Sequence, residues 1–251
     1  MEEALAVPFV RRPRQYLEGG IEPPPELIQA LRRLGPRCLA ATDGGSEAQR
    51  LRYAGWGVVL ANGATKEVEY RCHGMTPGAD HTSWSAEMCA LEVLCRAAAE
   101  AEVDLDVLID NQTVQGGLNA LIARRLPVPN GGFGRWRDLE RLVQGRQHTA
   151  HWVPSHGKVP AWRPVVTHLG TAQEWRRLND VADFEATQGL RASMRFYEDA
   201  SQERRAVVAA SRAQRHLDRV YAGSVGFLSS GTGSFKQAWA YAHAVRRTEP
   251  G

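Results

Sequence analysis

The sequence predicts an α/β fold: a five-stranded mixed sheet in the order β-β-β-α-β-α-α-β-α, flanked by helices, with a helical C-terminal extension. Three observations lead there. Between residues 38 and 74, three β-rich segments follow one another with turn residues between them. From residue 83 onward, stretches with helical spacing alternate with short apolar runs of the kind buried in a sheet. Beyond residue 188 the chain becomes Arg-rich with a helical pattern and no further strand signal.

The elements follow in order. "IEPPPELIQALRRLGP" sets prolines ahead of a short helix over 26–34, closed by Gly35 and Pro36. "CLAATDGG" reads as a strand over 38–43 that ends on Asp43 and a glycine turn. "YAGWGVVLA" (53–61) is a second strand, "NGAT" a hairpin signal, and "KEVEYRCHG" (66–74) an alternating third, so these three should pair antiparallel. Met88, Leu91, Leu94, Cys95 and Ala98 recur at three- and four-residue steps, which predicts a helix over 83–102. In "DLDVLIDNQTV", Val107, Leu108 and Ile109 form a buried strand that ends on Asp110, with a helix from Asn111 to Arg124 behind it. "LPVPNGGFG" breaks the chain before a helix in "RWRDLERLVQG", and "HTAHWVPSHG" holds the fifth strand, 149–154. A loop over 155–172 leads to a helix from Ala172 to Gln188. A second long helix (191–221), a Gly/Ser-rich break and a short last helix complete the chain.

This divides the chain into a lead-in or linker (1–36), a main α/β domain (37–188) and a basic helical extension (189–251). Its 251 residues suffice for one such domain with a well-buried core. A hydrophobic content of 43% with 24% charged residues is that of a globular protein rather than a disordered one. No apolar run reaches the length of a membrane span and "MEEALAVPFVRRPRQ" lacks a signal-peptide core, so an intracellular protein of cytoplasm or nucleus is expected. The four cysteines (Cys38, Cys72, Cys89, Cys95) show no CxxC pair or zinc spacing and read as reduced thiols. Residues 1–188 carry 21 Lys and Arg against 23 Asp and Glu, whereas 190–251 carry 10 against 5. The acidic part suits a carboxylate site; the basic tail suits a polyanion or a solvated helix face.

A carboxylate aimed out of the end of a buried strand needs a reason. Asp110 has a bland one, since aspartate caps helices well. Yet Asp43, Glu87, Asp110 and Asp183 all fall at comparable places: two strand ends, the first turns of one helix and a later helix. If the first and fourth strands are neighbours, Asp43 and Asp110 stand side by side, and like charges that close destabilise a fold unless something neutralises them. Hard oxygen ligands suit Mg²⁺, with Mn²⁺ a possible substitute.

With "TDGG", then "AE" on the following helix, "IDNQTV", and "HWVPSHG" ahead of "NDVAD", the sequence resembles type 1 ribonuclease H over residues 37–188. The resemblance implies a ribonuclease H-like fold and an endonuclease that hydrolyses the RNA strand of RNA–DNA hybrids with two metal ions, leaving a 5′ phosphate and a 3′ hydroxyl. It implies Asp43, Glu87, Asp110 and Asp183 as metal-binding catalytic carboxylates and His156 as a mobile histidine that assists proton transfer or product release. Gly44, Trp84, Ser85, Gln112 and Asn179 are the implied substrate-binding positions. Gly44 would admit the RNA backbone, Gln112 would touch the minor groove, and Asn179 matches the asparagine of the family's "N…AD" pattern.

Three departures stand out. Ser83, Trp84 and Ser85 replace the asparagines that the family often carries before the glutamate. The stretch between Asp110 and Trp136 holds only Arg124, Arg125 and Arg135, so the basic protrusion of some relatives is reduced. Affinity for the hybrid would then be weaker, or the grip would move to the C-terminal helix, through Arg204, Arg205, Arg212, Arg215 and Arg219. The long segment from His156 to Asn179, with Lys158, Trp162, Arg163 and His168, resembles insertions in ribonuclease H domains of retroelement-like polyproteins. The competing functions are an exonuclease or transposase-type nuclease of the same superfold and a catalytically silent hybrid-binding module.

Overall fold

A computed structural model describes residues 22–47, 53–77, 82–125, 133–155 and 159–229, the later part of the last helix by its backbone alone. Strand β1 (Arg37–Glu47) pairs antiparallel with β2 (Tyr53–Ala61), and β2 pairs antiparallel with β3 (Val68–Met75). On its other side β1 runs parallel to β4 (Asp104–Ile109), which runs parallel to β5 (Thr149–Trp152). The sheet order is therefore β3-β2-β1-β4-β5. Helices α1 (Pro25–Leu34), α2 (Ser83–Ala101), α3 (Gln112–Ile122), α4 (Phe133–Val143) and α5 (Ala172–Ser229) complete the chain.

Alternation along the strands separates two cores. Cys38, Ala40, Val58, Leu60, Leu105, Val107 and Ile109 point to one face and pack with α1 to α4. Leu39, Ala41, Val59, Ala61 and Leu108 point to the other, against Trp175, Leu178 and Ala182 of α5. Successive strand side chains alternate faces, so Leu39, Ala41 and Asp43 lie on the α5 face and Ala40, Thr42 and Gly44 on the α2 face. Helix α1 belongs to the first core: Leu27 and Leu31 are completely buried. All four cysteines are free, and no described helix is long and apolar enough to cross a membrane.

Two expected boundaries fail, and at each a glycine lies in close backbone packing. Strand β1 does not end at Asp43; it continues through Gly44 and Gly45, paired with Trp56 and Gly55, to Glu47. A Cβ on Gly44 would collide with the backbone of Ala86 and Glu87, so this glycine serves close helix–strand packing and not a turn. Likewise no break separates a helix ending at Gln188 from one starting at Arg191; a single helix, α5, runs from Ala172 to Ser229. Gly189 is the point where α5 meets the sheet, because Cβ atoms on Gly189 or Gly55 would strike backbone across that contact. The chain divides into two compact units, Met1–Arg195 and Phe196–Gly251, and Gly189 and Leu190 fall in the first. The predicted final short helix lies outside the described residues.

Candidate active site

The register of the parallel pair builds the site. Thr42 of β1 lies opposite Ile109 of β4, so Asp43 and Asp110 stand one step further on, at the same end of adjacent strands. Helix α2, capped by Thr82, whose hydroxyl accepts from the Ser85 N–H, brings Glu87 against β1 where Gly44 leaves room. Asp43, Glu87 and Asp110 each place one carboxylate oxygen within 4.8 Å of the others. The capping explanation for Asp110 does not hold: the cap of α3 is Asn111, whose side chain accepts from the N–H groups of Thr113 and Val114.

Among the described residues the cluster is poorly compensated. Burial, then the charge of Asp110 and that of Asp183, push the Asp43 carboxyl up to about 7, against hydrogen bonds from Glu87 and the Gly44 N–H. Burial and the charges of Asp43 and Asp110 push Glu87 well above the usual carboxylate range. Glu87 is 2% exposed, and its Oε2 has no hydrogen-bond donor. The Asp43 and Asp110 carboxylates lie beside it, but carboxylates bond one another only through a shared proton. Three convergent hard oxygen ligands, one of them buried and orphaned, fit a divalent cation of the Mg²⁺ or Mn²⁺ type.

Asp183, expected as a fourth carboxylate, lies on helix α5 and is not among the three whose oxygens converge. The Ala182 carbonyl and Ala186 N–H of this helix lie over Gly57, the β2 partner of Asp43, where a Cβ would not fit. Positions 183 and 185 therefore fall on opposite flanks of that contact. Asp183 is half-buried and its charge acts on Asp43, whereas Asp180 is exposed. Glu185 is buried and held by His73 Nδ1 at 2.6 Å and Arg71 Nε at 3.4 Å, both on β3.

The other expected residues are distributed as follows. Asn179 is buried with an unpartnered Oδ1, and Gln112 is exposed at the start of α3. Trp84 is partly buried against the first core. Ser85 is fully buried and presents no surface to a duplex; the exposed Ser83, whose hydroxyl donates to the Gly44 carbonyl, occupies the outer side. The face of Gly44 that lacks a Cβ is occupied by α2 rather than open to a strand of RNA. His156 and Lys158 lie outside the described residues, as do the side chains of Arg204, Arg212, Arg215 and Arg219. Sequence reasoning missed Trp152, whose indole N–H donates to the Asp110 carbonyl at 3.0 Å. Its signal was its position beside Ile109, which only the β4–β5 register reveals.

Element order and strand order together define a ribonuclease H-like fold, and the chain resembles type 1 ribonuclease H in its topology as well as its motifs. Solved RNase H domains match it at low identity. The N-terminal RNase H domain of a Mycobacterium tuberculosis protein, solved as a fusion with maltose binding protein, is 18% identical, with a TM-score of 0.46 over 65% of this chain and 99% of that one. RNase H1 from the halophilic archaeon Halobacterium salinarum is 22% identical, with a TM-score of 0.44 over 62% and 98%. The RNase H domain of prototype foamy virus is 20% identical, with a TM-score of 0.47 over 62% and 94%. No protein-family model matches the chain, and no curated protein sequence does.

Proposed function

We propose that the chain is a metal-dependent endoribonuclease that hydrolyses the RNA strand of RNA–DNA hybrids. The observation that carries this reading is the orphaned, buried Glu87 carboxylate between Asp43 and Asp110, a cluster of negative charge that needs a cation from outside. The choice of substrate rests on the motif resemblance around these residues.

In this reading Asp43, Glu87, Asp110 and Asp183 hold two divalent ions, Mg²⁺ with Mn²⁺ as substitute. The ions would supply Lewis-acid stabilisation of a scissile phosphate and of the attacking and leaving oxygens. The protein's own part is positional and electrostatic. Asp43 bridges the strand ends, Glu87 closes the buried side, and Asp110 faces outward with its backbone fixed by the α3 cap and by Trp152. Burial favours the protonated forms of Asp43 and Glu87, which would give up those protons in holding an ion. Asp183 serves from the rim; Gln112, Trp84 and Ser83 lie on the side that a duplex would approach. His156 is assigned to proton transfer or product release, with the products a 5′ phosphate and a 3′ hydroxyl.

The test is incubation of purified protein with an RNA–DNA hybrid labelled in the RNA and blocked at both chain ends. Internal cleavage in Mg²⁺, absent in EDTA and on a duplex of DNA alone, is expected. Cleavage only from unblocked ends would indicate an exonuclease, and binding without any cleavage would indicate a silent hybrid-binding module.

A further inference from the structure

Beyond the carboxylates, the described residues carry an aromatic network that ends on one of them. Strand β5 bonds to β4 as far as the Val153 N–H and the Ile109 carbonyl, at 3.0 Å. The next carbonyl along β4 is that of Asp110, and its partner is the Trp152 side chain, through Nε1 at 3.0 Å. An indole thus continues the ladder one rung past the end of the strand, at the residue whose carboxylate enters the acidic cluster.

The Trp152 ring is itself held. Trp162, from the loop before α5, meets it edge to face, with centroids 6.4 Å apart and planes at 86°. Trp162 also lies against Trp175 of α5 at 5.8 Å, and Trp175, 1% exposed, packs on His151 at 5.3 Å. Arg176 stands 5.9 Å over the Trp162 ring and donates to the Val159 carbonyl at 2.7 Å and that of Pro160 at 3.3 Å. The Trp162 N–H bonds the Val159 carbonyl as well, at 3.0 Å. A run of contacts therefore joins α5 and its preceding loop to the backbone of Asp110.

What such a tether does follows from the charges it opposes. Asp43, Glu87 and Asp110 bring carboxylate oxygens within 4.8 Å of one another, so they repel whenever they are ionised, and Asp110, the least buried of the three, is the one with most room to move outward. Fixing its peptide at both ends, by the Asn111 cap and by the Trp152 N–H, keeps the carboxylate where three oxygens converge. We propose that Trp152 is a positioning residue of the metal site, and that Trp162 ties the loop ahead of α5 to that site through it. The inference rests on the cluster being a cation site, as in the proposed function, and assigns Trp152 no contact with substrate.

A positioning role and a merely structural one differ in sign. Removing the N–H in Trp152→Phe keeps an aromatic ring in place and relieves repulsion in the metal-free protein. Its melting temperature in EDTA should therefore equal that of wild type or exceed it. The Mn²⁺ concentration giving half of the metal-induced rise in melting temperature should increase about ten-fold, a typical effect of removing a group that orients a metal ligand. Trp162→Leu spares the hydrogen bond but removes the ring that holds Trp152, so it should shift the half-point in the same direction by less. Equal half-points in wild type and both variants would overturn the proposal, as would an equal drop in melting temperature with and without Mn²⁺. Should Trp152→Phe fail to fold, Trp162→Leu decides by the same criterion. A wild-type melting temperature indifferent to Mn²⁺ would overturn the metal-site reading itself, and this inference with it.

Discussion

Two buried aspartates occupy the same face of the sheet at its opposite ends, and they titrate in opposite directions. Asp106, near the start of β4, is 4% exposed; Asp43, near the far end of β1, is 6% exposed. Burial pushes both upward. At Asp106 hydrogen bonds from His151 and from Arg37 outweigh it and bring the carboxyl down to about 2. Arg37 grips it twice, at 2.6 Å through Nε and 2.8 Å through Nη2, and His151 Nε2 adds a contact at 3.1 Å. At Asp43 the charged neighbours are Asp110 and Asp183, and the carboxyl rises to about 7. The comparison teaches what separates a structural buried charge from a functional one. The first carries its counter-charge within the chain; the second, in the proposed function, would take it from a cation supplied from outside.

The comparison breaks most visibly in Asp110→Asn. If the cluster works through its charge, hybrid cleavage falls by orders of magnitude, on the order of 10³-fold or more, because a ligand of a two-metal site is lost. The same variant should melt no lower than wild type in EDTA, since it removes a repulsive charge. Measuring both on one preparation separates loss of chemistry from loss of fold.

At the other end the sign reverses. Arg37→Ala leaves Asp106 buried with only His151 beside it, and should cost about 2 kcal/mol, discounted because the arginine side chain is 44% exposed. Denaturant unfolding at pH 7 would show it, and cleavage per folded molecule should not change.

The pH dependence sharpens the same contrast. The carboxyl of Asp106 is held at about 2 in the fold and near 3.9 unfolded, so its contribution is complete above about pH 4 and lost as pH falls toward 2. Asp43, raised to about 7, contributes most below about pH 4, and that contribution is lost as pH rises through 4 to 7. Melting temperatures in EDTA should therefore decline between about pH 4 and 7 in wild type and decline less in Asp43→Asn.

How much of this the residues disclosed in advance depends on whether the signal is local. Strand alternation in "KEVEYRCHG" and helical spacing from Met88 to Ala98 are local, and both elements lie where expected. Asp43, Glu87 and Asp110, which the fold brings together, were singled out by short motifs in a fixed order. Glycine was misread at Gly44 because a turn signal and a close-packing site use the same residue, and only the partner backbone tells them apart. Arg37 with Asp106, and Trp152 with Asp110, are pairs far apart in sequence whose meeting depends on strand order and register. No spacing rule announces them.

A smaller effect distinguishes the two aspartates on α5. Asp183→Asn should reduce Mg²⁺-dependent cleavage strongly, with partial rescue by Mn²⁺, because its half-buried charge reaches the cluster at the rim. Asp180→Asn, on the exposed side, should stay within a few-fold of wild type in single-turnover rate. A larger loss at Asp180 would mean that α5 presents a different flank to the sheet.

The most direct measurement of the central claim is calorimetric titration of Mn²⁺ into metal-free protein at pH 6, in two buffers of different ionisation enthalpy. At that pH Asp43, raised to about 7, retains a proton that a bound cation would displace. Binding should therefore release about one proton or more per molecule, and Asp110→Asn should abolish or greatly weaken it. Binding with no buffer-dependent heat, or binding of equal strength in Asp110→Asn, would contradict the account.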